Sequence, residues 1–165
     1  MTTLAAGAKL SVIVPVYNEA RGLPELIERI GAALVGTAFE CILVNDGSRD
    51  DSFNVLADLG RSRPWMKVID FRRNYGQTAA INAGIRAATG EILVLMDSDL
   101  ENDPADIPGL IAELDKGYDV VSGWRRDRWK GQFLTRKLPS LLANKLIGTV
   151  SSVPLHDYGC RLKAY

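Results

Sequence analysis

Runs of apolar residues of strand length recur along the chain, at 10–16 (LSVIVPV), 39–44 (FECILV), 66–71 (MKVIDF), 91–96 (EILVLM) and 118–123 (YDVVSG). They are nearly continuous rather than alternating, the pattern expected of strands covered on both faces. Helical patterns lie between them. Leu23, Leu26, Ile27, Ile30 and Leu34 recur in steps of three and four, which places them on one helix face, and Pro24 suits the first turn. A second helix is expected after Ser48, because Ser48 and Asp51 have capping-box spacing with Asp in place of Glu. A third is expected over 78–88. The fourth opens on Asp103 as cap with Pro104 at the first helical position, and carries Ile107, Leu110, Ile111 and Leu114. A last apolar helical pattern, Leu134, Leu138, Leu141 and Leu142, spans 133–150, with a kink or restart at Pro139.

Strand alternating with helix implies right-handed crossovers and a mostly parallel sheet with helices on both faces, so the fold class is α/β. With 165 residues the chain fits one domain with one active site. In such sheets ligands bind beyond the carboxyl ends of the strands, near the point where strand order reverses. That rule selects VYNEARG (16–22), NDGSRDD (45–51) and DSDLEND (97–103), all rich in carboxylates, amides and glycine; WRRDRWKGQ (124–132) follows the fifth strand. No GxGxxG follows the first strand, which argues against a dinucleotide-binding Rossmann enzyme.

The charge balance narrows the partners. Twenty Lys and Arg match twenty Asp and Glu, so there is no long nucleic-acid footprint, and any basic site must be local. The one local cluster, Arg125 to Lys130, is either a solvated loop or a grip for one or two phosphates. Two distant cysteines cannot build a disulfide framework, and with the lone His156 they lack the spacing of a zinc site. A reducing compartment is expected, and any metal should be a hard cation on oxygen ligands. Residues 1–10 lack the basic start and apolar run of an export signal, and no apolar stretch approaches the about 20 residues of a spanning helix. The chain is therefore expected to be soluble as it stands.

Asp97-Ser98-Asp99 carries the most chemistry. In an extended stretch, residues two apart face the same way, so Asp97, Asp99 and Glu101 could present oxygens to one point. Carboxylates so close repel unless a cation neutralises them, and Mg²⁺ or Mn²⁺ bridging to substrate phosphates is the usual solution. Asp103, followed by Pro104, is better read as a helix cap. Asn45 to Ser48, taken alone, reads as an Asp-Gly turn with Ser48 capping the next helix. Tyr17 offers an aromatic face for a base, while Glu19 and Asp46 offer acceptors for base or ribose donors. Asn74 to Gln77 leads into the third helix, whose amide terminus either meets an anion or forms an ordinary strand-to-helix turn.

The combination is more specific than its parts. SVIVPVYNE, LVNDGSRDDS, FRRNYGQTAAINAG, LVLMDSDLENDP, YDVVSGWRRDR and LHDYGCRL, in this order, resemble family 2 glycosyltransferases with the GT-A fold, a Rossmann-like nucleotide-diphospho-sugar transferase architecture. The likeness is greatest to those that charge a polyprenyl (dolichyl or undecaprenyl) phosphate with a sugar. The resemblance implies that Pro15, Tyr17, Glu19, Asp46, Gln77, Asp97 and Ser98 bind the donor, a UDP- or GDP-linked sugar. It implies that Asp97, Asp99 and Glu101 hold a divalent cation, Mg²⁺ or Mn²⁺. Arg125, Arg126 and Arg161 would hold acceptor or donor phosphate. Asp99 and Asp157 would be catalytic, Asp157 lying near the acceptor or else serving as a structural partner for one of those arginines.

Two departures stand out. Relatives often carry Gln where this chain has Glu101, and DDGS where it has NDGS, so Asn45 replaces an acid while Asp46 is kept. The implied reaction is inverting transfer to a lipid phosphate, with hydroxyl acceptors on a polysaccharide, or a non-catalytic nucleotide-sugar-binding module, as the alternatives. The resemblance further implies a cytoplasmic protein, at the cytoplasmic face of a membrane in full-length form, and a single GT-A core (1–165) that stops before C-terminal helices or membrane spans.

Overall fold

A computed structural model describes residues 10–124 and 159–165. The helix expected over 133–150 lies outside them. The sheet contains β1 (Leu10–Val16), β2 (Phe39–Asn45), β3 (Met66–Asp70), β4 (Ile92–Leu95), β5 (Val121–Ser122) and β6 (Lys163–Ala164), in the spatial order β3-β2-β1-β4-β6-β5. β1, β2, β3 and β4 pair in parallel, whereas β6 pairs antiparallel with both β4 and β5. The α/β, mostly parallel expectation is met.

Both faces of β1 and β2 are covered, which accounts for their unbroken apolar sequences. Val12, Val14, Cys41 and Leu43 belong to the core shared with α1 (Leu23–Ala33), α2 (Ser52–Gly60) and α4 (Ile107–Leu114). Ile42 and Val44 face α3 (Gln77–Ala87) on the other side with Ala80. There the helix sits so close that a Cβ on Gly84 would lie 2.4 Å from Ile13 Cγ2. The predicted stripe of α1 is the buried one, with Leu23, Leu26, Ile27 and Ile30 all inaccessible.

Two expectations are corrected, and one strand is added. Ser48 does not cap α2: the helix begins at Ser52 with Asp51 at the cap position and no side-chain cap bond. Ser48 Oγ instead donates to Asn45 Oδ1 at 2.5 Å and accepts from the Asn18 amide at 2.9 Å, so it is spent on joining two loops. The fifth strand is two residues long rather than six, because Tyr118 and Val120 are exposed and not part of the core. Strand β6 went unseen in the sequence, since two residues carry no periodicity. The Asp103 cap is borne out: its Oδ1 accepts from Ala105 N at 3.0 Å, opening a 3₁₀ turn over Pro104–Asp106 that runs into α4. Cys41 and Cys160 are both free thiols and both buried.

Candidate active site

The chain builds the sheet outward from β1 through β2 to β3, then returns to place β4 on the other side of β1. Strand order reverses between β1 and β4, and a crevice opens at their carboxyl ends. A cleft of about 760 Å³ lies there. Its walls come from the end of β1 and the segment after it (Pro15, Val16, Tyr17, Glu19), from the segment after β2 (Asp46) and from that after β4 (Asp97, Ser98, Asp99, Glu101). The entrance to α3 adds Asn74, Gly76 and Gln77, and the approach to β6 adds Gly159 and Arg161. Every residue proposed from sequence for donor or metal binding therefore lines one cavity. Arg125, Arg126 and Asp157 lie outside the described residues.

The loops are stitched to each other more than to themselves. Asn18, in the left-handed region at φ 57°, accepts from the Arg49 amide at 2.8 Å. The Glu19 amide donates to Ser52 Oγ at 2.9 Å and the Ala20 amide to Asp50 Oδ2 at 3.1 Å. Burial pushes the Asp50 carboxyl up, but bonds from Ser52 and Ala20 outweigh it and hold the group below its ordinary value. Glu19 moves the other way, raised by burial first and then by the neighbouring carboxylates of Asp99 and Asp50. Negative charge thus accumulates on this wall of the cleft.

Asp46 is almost wholly buried, and its oxygens are already engaged. Oδ1 accepts from the Tyr75 amide at 2.7 Å, while Oδ2 accepts from the Gly76 amide at 2.9 Å and Asn74 Nδ2 at 3.0 Å. The Tyr75 and Gly76 amides that lead into α3 are thus turned onto this carboxylate. Nothing in the sequence signals this tie of Asn74 and Gly76 to Asp46, because the partners are 28 and 30 residues apart. Asp46 retains room for one further donor, since an ionised carboxylate has about four acceptor positions. Tyr17 lines the cleft and is substantially exposed.

The DSD segment departs from the extended path assumed for it. Leu100 adopts φ 60° and the Glu101 amide turns back to Asp99 Oδ1 at 3.0 Å, so the two-residue alternation ends at Asp99. The reason is packing: Leu100 is partly buried against the main core. Asp97 Oδ1 accepts from Gln77 Nε2 at 2.6 Å, and Arg161 Nε lies 3.5 Å from Asp97 Oδ2. Among the described residues no three acidic, His or Cys side chains gather closely enough to hold an ion by themselves. Asp97, Asp99 and Glu101 line the same cleft without forming a three-carboxylate cage. The donor set still suits a hard cation shared with phosphate, because Mg²⁺-type sites take one or two carboxylates and complete their shell with substrate oxygens and water.

A crevice at the switch point, walled by carboxylates and lined from three loops, is where an α/β fold of this kind binds its ligand. The chain belongs to glycosyl transferase family 2, whose family model matches residues 11–161. More particularly, it is 46% identical over 161 residues to the dodecaprenyl-phosphate galacturonate synthase of Rhizobium johnstonii, covering 95% of this chain and 47% of that protein. It is 45% identical to the undecaprenyl-phosphate 4-deoxy-4-formamido-L-arabinose transferase of an Enterobacter species, covering 100% of this chain and 51% of the relative. The chain thus spans about half the length of the curated relatives it matches.

Solved structures agree on the fold. A mannosyltransferase from Pyrobaculum calidifontis in complex with GDP-Man and Mn²⁺ superposes with TM-score 0.65 at 27% identity, covering 73% of this chain and 36% of that one. Glucosyl-3-phosphoglycerate synthase from Mycobacterium tuberculosis, with Mn²⁺, UDP and phosphoglyceric acid, gives TM-score 0.74 at 22% identity over 96% of this chain and 56% of that one. The fold is the GT-A fold. Among the described residues no helix is long and apolar enough to cross a membrane.

Proposed function

We propose that this chain forms the donor-binding catalytic core of an inverting glycosyltransferase that moves a sugar from a UDP- or GDP-linked donor to a polyprenyl phosphate. The observation that carries the reading is the acidic cleft at the β1/β4 switch point, in a chain 46% and 45% identical to two polyprenyl-phosphate sugar transferases. Tyr17 stacks on the base, Asp46 accepts one of its N–H groups, and Glu19, Gln77 and Ser98 complete the pocket with Pro15. Asp97 and Asp99, with Glu101 beside them, hold Mg²⁺ or Mn²⁺ against the diphosphate. When bound, that ion stabilises the charge developing on the leaving diphosphate.

The remaining burden falls on side chains of the chain itself. Asp99 is the catalytic carboxylate of the donor side. A lipid phosphate is already anionic near neutral pH, so its oxygen needs little general-base help to attack the anomeric carbon from the face opposite the diphosphate. Two anions must then be held together, which is the work of Arg125, Arg126 and Arg161, with Asp157 near the acceptor. A lipid acceptor places the reaction at a membrane surface, on its cytoplasmic face.

Calorimetric titration with UDP and GDP, each with and without Mn²⁺, tests the donor half: one diphosphate should bind in a metal-dependent way. In the full-length protein, Asp99→Ala should remove most sugar transfer to undecaprenyl phosphate. Near-normal, metal-dependent turnover by that variant would overturn the assignment.

A further inference from the structure

The buried residues on either side of Arg161 fix its place in the chain. Cys160 and Leu162 on either side are 1% and 2% exposed. Cys160 Sγ lies 3.4 Å from Asn102 Oδ1, and the Gly123 amide donates to the Leu162 carbonyl at 2.8 Å. Gly123 allows this approach, since a Cβ there would lie 3.2 Å from the Leu162 oxygen and 3.1 Å from Cys160 Sγ. With both neighbours turned into the core, alternation puts the Arg161 side chain on the opposite side, in the cleft. There it is half exposed, and its Nε faces the Asp97 oxygen not taken by Gln77.

A guanidinium and a divalent ion on the same oxygen repel each other at a few ångströms, so each weakens the other's hold on it. Arg161 also lines a neighbouring pocket of about 360 Å³ together with Lys163, so the residue borders two cavities. A diphosphate entering the cleft offers it a different anion. We infer that Arg161 competes with the divalent ion for Asp97 and is drawn off by the donor diphosphate, so that it couples metal binding to nucleotide binding. This rests on the metal assignment above and goes beyond it. Arg161 is then more than a phosphate grip: it keeps the metal site weak until the nucleotide arrives. By linkage, whatever factor the nucleotide adds to metal affinity the metal adds to nucleotide affinity, and Arg161 supplies part of it.

The test is Mn²⁺ binding to the nucleotide-free protein, read from the electron paramagnetic resonance signal of the free ion, and repeated with saturating UDP and GDP. Arg161→Gln should tighten Mn²⁺ binding severalfold without nucleotide and reduce the enhancement produced by the diphosphate that binds. Lys163→Gln, which removes a nearby cation without touching Asp97, should change the nucleotide-free affinity much less. Equal tightening in the two variants would assign the effect to bulk charge and overturn the inference. So would an Arg161→Gln protein with wild-type nucleotide-free affinity. Asp97→Asn separates the two layers: if it binds Mn²⁺ as the wild type does, the metal assignment itself fails. If it loses the ion while Arg161→Gln changes nothing, only the competition fails. Thermal midpoints of all variants check that each is folded.

Discussion

Asn45 and Asp70 stand opposite each other at the carboxyl ends of two paired strands, and the Asn45 amide donates to Asp70 Oδ1 at 2.7 Å. The same amide accepts from Ser48 through its oxygen, so it uses both ends at once. An aspartate could do only the second. The residue that departs from the commoner family pattern is thus matched by an acid on the adjacent strand, and the pair fixes the turn that delivers Asp46.

Asn45→Asp should consequently destabilise the protein at neutral pH by about 1–3 kcal/mol, since it removes a donor and sets two carboxylates face to face. Asp70→Asn in the same chain should restore most of the loss. Urea unfolding of the two single variants and the double variant supplies the cycle. Additive losses would mean that the two residues do not interact.

Much of this arrangement was legible in the sequence, for reasons that also explain what was not. β1 and α1 announce themselves because burial on two faces, or on one stripe, leaves a long periodic record. β5 and β6 have two residues each, too few for any period, and one partner is reached only after a long excursion of the chain. The rule that ligands bind at strand carboxyl ends selected the cleft walls correctly. What it could not supply were pairings between loops: Asp46 with Asn74, or Asp97 with an arginine 64 positions later. The turn at Leu100 was hidden too, because left-handed backbone at a leucine is dictated by packing and not by residue type.

Glu40 anchors the end of the sheet opposite the cleft. Its Oε1 accepts from Ser11 Oγ, the Thr89 amide and Thr89 Oγ1, each at 2.7 Å, and Lys67 Nζ lies 2.5 Å from Oε2. Burial pushes the carboxyl up, but these partners outweigh it and hold the group well below its ordinary 4.5. A depressed folded value means that the folded state resists protonation. The resulting stability is therefore complete above the unfolded value, and is lost as pH falls from about 4.5 towards the folded one. Glu40→Gln should cost about 1.5–3 kcal/mol at pH 7, tempered by the half-exposed lysine, and should flatten the loss of stability on acidification below about pH 4.5. Urea midpoints measured from pH 7 down to pH 3 check both. An unchanged slope would show that Glu40 does not carry the acid sensitivity.

Cys41 lies in the middle of β2 with no exposure, and burial pushes its thiol up to about 12. Only the thiolate attacks disulfide reagents. In the native protein this thiol should remain unlabelled by an aromatic disulfide at pH 8 over hours, and should react within minutes in denaturant. Labelling followed by peptide mapping distinguishes it from Cys160. Rapid native labelling of Cys41 would mean that β2 opens far more readily than a strand buried on both faces should.

Gly47 packs against the backbone that leads to one wall of the cleft. It adopts φ +64°, and a Cβ there would lie 2.2 Å from the Arg73 carbonyl carbon and 2.4 Å from the Asn74 nitrogen. Those atoms are backbone, and they belong to the segment whose Asn74, Tyr75 and Gly76 hold Asp46. Gly47→Ala combines an unfavourable backbone conformation with overpacking. Together these should cost at least about 2–4 kcal/mol unless the 71–76 segment moves away. If it does move, the Asp46 carboxylate loses its three donors and the cleft loses a wall, so the proposed nucleotide binding should suffer even where folding survives. The expected outcome is a lowered thermal midpoint together with a loss of nucleoside diphosphate binding of tenfold or more by calorimetry. Gly84→Ala serves as the comparison: its Cβ would strike the Ile13 side chain beneath α3, so it should lower stability while leaving nucleotide affinity in the folded fraction near wild type. Equal effects of the two substitutions on binding would show that close packing under α3, and not the Gly47 turn, sets the geometry of the pocket.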